Sequence, residues 1–382
     1  MIVEVTNAKN LATPLGRASG AAGKRGVPLE RCVLLQAEAD VLTLTTLSAH
    51  SHELCLRVPD AHVVVDGQVL LPAETLHGVF AGAAQEPATL SLQEADQQLL
   101  VNFEGDSHLN VFNEPPAAFP KTLVLPPVAG VVDGAQLAGA LACAQTLLEG
   151  GEFVALAARD DQLHVYSRSN RKQLYSRSVI DLHESVADWA CEFTVDVLSH
   201  LMHPLTGPVT LRLDPDDPAP LVFQSGHEYL LIRQVAGNVT AVAAIDAALD
   251  AATPNYGVVK AAKLANDVSR VCRLFKPDSQ TGRGYQLSRQ GAYLQARCES
   301  SVVGKREYQT ELLQAEGELA SVLVDPELLG RALDALDTVD LTLEYLTQTV
   351  ADGLGGEVSY VHLRLSNWDQ PELRRIMVPT IL

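Results

Sequence analysis

A short hairpin signal followed by alternating apolar residues recurs six times along the chain. It reads Ala-Asp-Val-Leu42-Thr-Leu, Asp-Gln-Gln-Leu99-Leu-Val and Asp-Asp-Gln-Leu163-His-Val in the first half. It continues as Pro-Ala-Pro-Leu221-Val-Phe, Gly-Ala-Tyr293-Leu-Gln-Ala and Val-Ser-Tyr-Val361-His-Leu. The anchors are 57, 64, 58, 72 and 68 residues apart, so six units of about 64 residues fill the 382-residue chain. A chain built this way must stack copies of one small helix-and-strand unit.

A helix-like stretch precedes each anchor: Ala8–Ser19, Pro72–Ala83, Gly134–Leu148, Thr194–His203, Val259–Phe275 and Asp325–Leu336. In the fifth, Ala261, Leu264, Val268, Val271 and Phe275 are spaced 3, 4, 3 and 4, one apolar stripe at helical period. The sixth opens on Asp325-Pro326, an N-cap followed by proline at the first helical position. Segments such as Val209-Thr-Leu-Arg-Leu and Tyr229-Leu-Leu-Ile-Arg read as strands. Two stretches read as linkers, the proline-rich Asn113–Pro127 and the alanine-rich Gly237–Tyr256. They cut the chain into three domains, 1–124, 125–252 and 253–382, of two units each. The expected fold class is α+β, with helices on one face of antiparallel sheets.

The 47 acidic residues exceed the 28 basic ones, for a formal net charge of −19. That argues against a surface uniformly attractive to nucleic acid, though not against a local basic lining. The start carries Glu4 and no apolar core, so it does not read as a signal peptide. The most apolar long stretch, Val239–Ala252, contains Asp246 and Asp250 and does not read as a membrane span. The six cysteines form no CxxC pair and are expected as buried thiols in a cytoplasmic protein. Gly20-Ala-Ala-Gly23-Lys24-Arg25 lacks the spacing and the Ser/Thr of a phosphate-binding loop, and no cofactor is expected.

Four segments then carry a resemblance. Thr13-Pro-Leu-Gly-Arg-Ala-Ser-Gly20 is followed by Gly23-Lys-Arg25, and Leu71-Pro-Ala73 opens the second helix. Pro116-Ala-Ala-Phe-Pro120 closes the first domain, and the chain ends on Ile376-Met-Val-Pro379-Thr-Ile-Leu382. In order and spacing over the whole chain they resemble the bacterial sliding clamp, the β subunit of DNA polymerase III, as a divergent member or paralogue. The resemblance implies a DNA-clamp fold closing into a ring as a head-to-tail homodimer. Twelve helices would line a hole around double-stranded DNA. It implies a processivity factor without catalytic groups, tethering DNA polymerase and clamp-loader subunits through short peptide motifs.

Carried over residue by residue, the DNA-facing set is Arg17, Lys24, Arg25, Lys260, Lys263, Arg270 and Arg273. The windows Asn7–Arg25 and Val258–Lys276 are each +4 in this acidic chain. The partner-peptide pocket would comprise Leu174, Val242, Val378, Pro379, Thr380 and Leu382. Here Ser169-Asn-Arg-Lys-Gln-Leu174 stands where the family has Thr-Asp-Gly-His-Arg-Leu, and Gly237-Asn-Val-Thr-Ala-Val replaces its Phe-Pro-Asp-Tyr stretch. The dimer contact would set Val79, Ala83 and Leu109 against Leu274 and Phe275.

Two other readings compete. A clamp-fold paralogue could serve as a partner-binding scaffold or competitor without encircling DNA. Alternatively Asp196, His200 and His203, at i, i+4 and i+7, could hold a metal ion in an unrelated enzyme. His50 and His52 share a strand face on the same logic. Arg168, Arg171, Lys172 and Arg177 read as a basic cluster on an edge strand.

Overall fold

The computed structural model describes all residues except 23–27, 48–51, 83–86, 94–97, 104–107, 113–118, 120–123, 170–173, 186, 202–206, 218–219, 234, 237–240, 275–284, 301–303, 320, 352–356 and 381–382. The described residues form seven α-helices and 25 strands. The helices are α1 (Ala8–Ala21), α2 (Ala73–Ala81), α3 (Gly134–Leu147), α4 (Leu198–Leu201), α5 (Ala241–Leu249), α6 (Ala261–Leu274) and α7 (Pro326–Leu336). The fold class is α+β with antiparallel sheets, as the repeat pattern implies. All six anchors fall in strands.

Contacts divide the chain into two compact units. The first comprises 1–135, 184–187 and 199–237. In it Ala61–Val65, Ile2–Val5, Ala88–Gln93, Gln98–Phe103 and His108–Phe112 pair in that order as one sheet. A second sheet includes strands Cys32–Glu38, Val41–Leu47 and His52–Arg57, and continues through Glu228–Ile232. Helices α1 and α2 pack together, burying Leu11, Leu15, Leu76 and Phe80.

The second unit comprises 136–183, 188–198 and 238–382. Its strands pair in the order Trp189–Thr194, Phe153–Arg159, Gln162–Ser169, Leu174–His183, Arg374–Pro379, Glu357–Asn367, Asp340–Ala351 and Tyr256–Lys260. Strand side chains alternate between faces, so the two faces carry different cores. Leu174, Ile376 and Val378 join α3, α6 and α7 in one cluster. Tyr166, Met377 and Leu346 point the other way, under α5.

Local chemistry explains the turns and caps. The two-residue turns Ala39-Asp40 and Asp160-Asp161 hold φ of +48° and +64°, and +51° and +57°. Two consecutive positive φ values match the strand twist of tight hairpins, and aspartate tolerates them best after glycine and asparagine. Asp325 caps α7 by accepting from the amides of Glu327 at 2.8 Å and Leu328 at 3.4 Å.

Two expectations are corrected. The alanine-rich stretch read as a linker contains α5, because Val242, Ile245 and Leu249 find a sheet face to cover. The strand of Arg177 is not an edge, since it pairs with Gln162–Ser169 on one side and Arg374–Pro379 on the other. In the fourth helical stretch a 3-10 turn at Val195–Val197 leads into Leu198–Leu201, and residues 202 and 203 lie outside the described residues. All six cysteines are free and five are buried. Burial pushes the Cys55 thiol up to about 11 and that of Cys191 to about 12.

Loss of the α7 cap in Asp325→Ala should cost about 1 kcal/mol. Leu329→Ala empties a fully buried position against α6 and should cost about 2–5 kcal/mol. Urea unfolding midpoints at constant slope give both values.

Candidate functional site

The second unit carries a dense charge lattice on the face that α5 covers. Four neighbouring strands supply Arg159, Arg177, Arg364 and Arg375, while α5 and its end supply Asp246 and Asp250. Arg177 lies 2.7 Å from Asp246 and grips Asp250 with both terminal nitrogens, at 2.7 and 2.6 Å. Arg159 reaches Asp246 at 2.7 Å and Arg375 reaches Asp250 at 2.5 Å. The Tyr166 hydroxyl donates to Asp246 at 3.0 Å and accepts from Arg159 at 2.8 Å. Arg364 pairs with both oxygens of Glu344 at 2.7 Å and also donates to the carbonyls of Leu249 and Ala251. Arg375 donates to the same Leu249 carbonyl. Thus the negative end of a short helix meets two guanidinium groups directly.

Sequence spacing explains the placement. Val242, Ile245 and Leu249 sit at i, i+3 and i+7 and face the sheet. Asp246 and Asp250 are one turn apart and share the flank of that stripe. On the strand, Tyr175 and Arg177 alternate with Leu174, Ser176 and Ser178, so Arg177 faces α5 while Leu174 faces α3.

The lattice shifts its titratable groups. Burial alone would lower Arg177, but its hydrogen bonds to Asp250 and Asp246 outweigh that and raise it. Asp250 is held below the usual aspartate value, first by the Arg177 hydrogen bonds, against partial burial. Burial and the charges of Arg159 and Arg177 push His164 down to about 4. Burial and the Asp246 carboxylate raise Tyr166.

The described members of the expected DNA-facing set, Arg17, Lys260, Lys263, Arg270 and Arg273, lie on or beside α1 and α6. Arg17 is 21% exposed, with Glu228 at 3.7 Å. Burial lowers its pKa and Glu228 opposes the shift. Lys260 meets Asp340 at 2.6 Å. Lys263 reaches Asp267 at 2.7 Å and Arg270 approaches the same carboxylate at 4.0 Å. Asp267, the one acidic residue in the window's charge count, lies under the α6 surface at 1% exposure, a burial that the count does not reveal. Arg273 is exposed and has no ion pair among the described residues. Lys24 and Arg25 lie outside the described residues.

The expected pocket residues divide between the two faces of the sheet. Leu174 and Val378 are buried with α3, α6 and α7, whereas Val242 is buried on the sheet-facing side of α5. Pro379 and Thr380 are half-buried, and the Thr380 hydroxyl donates to the Val361 carbonyl. Leu382 lies outside the described residues. The structure therefore brings Tyr175 and Met377, not Leu174 and Val378, to the face of Val242. A one-residue step along a strand changes faces, and a motif match cannot supply that step. Of the dimer set, Val79 is half-buried on α2, Leu109 falls in strand His108–Phe112 and Leu274 ends α6. Ala83 and Phe275 lie outside the described residues. Asp196 accepts from the Gly151 amide at 3.1 Å, His200 lies in α4, and His203 is outside the described residues.

Comparison of the structure with solved ones is decisive for the fold. The DNA polymerase III subunit β of Pseudomonas aeruginosa superposes with a TM-score of 0.80, covering 100% of both chains at 17% identity. The fold is that of a bacterial sliding clamp. The DNA polymerase sliding clamp of Bacillus subtilis gives a TM-score of 0.81 at 12% identity, over 100% of this chain and 99% of that one. The β subunit of Streptococcus pyogenes DNA polymerase gives 0.80 at 14% identity, covering both chains fully. No protein-family model matches the chain, and no curated protein matches it by sequence. The clamp fold is thus present under a highly diverged sequence. No helix among the described residues is long and apolar enough to cross a membrane.

Within this clamp fold, truncation separates the lattice from ordinary surface pairs. Arg177→Ala should cost about 3 kcal/mol, because buried carboxylate charge loses its main partner. Arg331→Ala removes an exposed pair with Glu327 and should cost no more than about 0.5 kcal/mol. His164 has a folded value below its ordinary 6.5, so the unfolded chain takes up the proton first. Its contribution is full above pH 6.5 and lost as pH falls towards about 4. His164→Asn should flatten the fall in urea midpoint across that window.

Proposed function

We infer that this protein is a sliding clamp. Two copies, head to tail, encircle duplex DNA and tether the replicative polymerase and other partners, including clamp-loader subunits. Each copy contributes three clamp domains, 1–124, 125–252 and 253–382. The observation that carries this reading is the superposition on sliding clamps at a TM-score of about 0.80 across the whole of both chains. Retention by a ring is topological, so it needs no catalytic group, cofactor or base-specific contact. The basic side chains of α1 and α6, with Arg273 free of ion pairs among the described residues, suit weak backbone attraction compatible with sliding. Val79, Ala83 and Leu109 of one copy would meet Leu274 and Phe275 of the next, and the setting is cytoplasmic.

A second reading has a specific observation in its favour. Arg17, Lys260, Lys263 and Arg270 each have a carboxylate within 4.0 Å, in a chain of net charge −19. That pairing weakens any field directed at DNA and suits a clamp-fold scaffold that binds partners without encircling DNA.

One assay separates the two. Protein loaded on nicked circular plasmid by a bacterial clamp loader should co-elute with the plasmid in gel filtration at 0.15 M salt. Linearising the plasmid should release it. Equal loss from circular and linear DNA would refute encirclement and favour the scaffold.

A further inference from the structure

We propose that α5 is a strap that occupies this chain's own partner-docking face. A partner would gain that face by presenting an acidic amphipathic helix in place of α5. The proposal rests on the clamp reading for the statement that partners dock at Val242, which is the expected pocket residue buried in the cluster of this face.

The face under α5 has the chemistry of a receptor. Its floor is small and apolar at Ala155 and Ala157, with Tyr166, Tyr175, Leu346 and Met377 around them. Its rim is cationic, since Arg159, Arg177, Arg364 and Arg375 arrive from four different strands. Methionine and tyrosine give such a floor an adaptable apolar surface with polar tips. The present occupant is complementary at every point. Val242, Ile245 and Leu249 fill the floor, Asp246 and Asp250 meet the rim, and the Leu249 carbonyl closes on two guanidinium groups. The pattern a competitor must copy is therefore three apolar residues at i, i+3 and i+7, with carboxylates at i+4 and i+8.

The α5 helix is short and is held partly by charge. It has nine residues, too few to persist as an isolated helix. Among the described residues, no backbone hydrogen bond joins it to a strand. Apolar packing, ion pairs and the bonds from Arg364 and Arg375 to its Leu249 carbonyl hold it, and much of that hold is ionic. Asp250 is 49% exposed, so water and salt reach one corner of the lattice. Such an element opens locally at lower free energy than the strands beneath it. Its departure would leave four arginines facing solvent beside an apolar floor, a surface that attracts a helix of opposite charge.

Amide exchange and peptide binding on the full chain test the proposal together. In the unaltered protein, α5 amides should exchange at least tenfold faster than those of α6 and α7, and faster still as salt rises. A fluorescent peptide of the sequence Ala241–Ala251 should bind the D246N/D250N double variant at least tenfold more tightly than the unaltered chain. The same peptide with both aspartates replaced by asparagine should lose that binding. Exchange of α5 only at the global unfolding rate would overturn the strap. Rapid exchange without peptide binding by either protein would overturn the acidic-helix partner. Exchange in the unaltered protein keeps the test decisive if the double variant fails to fold. Retention on DNA plays no part in these readouts, so the strap and the ring can fail separately.

Discussion

Arg177 stands where two requirements of this fold meet. It lies on an interior strand, with a side chain only 7% exposed, so its charge cannot stay there unpaired. Moving a guanidinium out of water costs several kcal/mol and is offset only by close, well-oriented partners. Among the described residues, no carboxylate on its own sheet pairs with it. Asp246 and Asp250 do, and they arrive only if residues 241–250 wind into a helix over the sheet. One buried cation thus obliges α5 to form and fixes where it lies.

The same logic spreads outward. Arg364 has a side chain 5% exposed, and it joins Glu344 on the adjacent strand to the last carbonyls of the α5 segment. Arg375 links Asp250 to the C-terminal strand. Strands separated by more than 200 residues in sequence are therefore tied to one short helix through charge, while the opposite face is tied to α3, α6 and α7 through apolar burial. The two faces differ in character. The apolar face gains by close packing and tolerates no voids. The charged face meets water and salt at its corner, where Asp250 is 49% exposed.

Much of this was readable from residues close in sequence. The six hairpin anchors, the α6 stripe from Ala261 to Val271 and the Asp325-Pro326 start of α7 are all local patterns, and the structure contains each of them. The α5 segment also held a local pattern, Val242, Ile245 and Leu249. Alanines on every side and two aspartates made it look like a solvated connection. What converts those aspartates into anchors is a set of arginines 69 to 125 residues away, which no local period encodes. The pocket residues failed to converge for a different reason. Leu174 and Val378 neighbour the α5-facing Tyr175 and Met377, and a step of one residue reverses a strand's faces. Asp267 is counted in the α6 window, but a charge count does not say that it lies buried beneath Lys263 and pairs with it.

The central claim is that this chain works as a ring of two copies, and its mass in solution tests that most directly. Light scattering on the purified protein at low micromolar concentration and 0.15 M salt should give twice the 41.0 kDa mass of one chain, unchanged on dilution. A single species of 41.0 kDa at every concentration would contradict a self-closing ring.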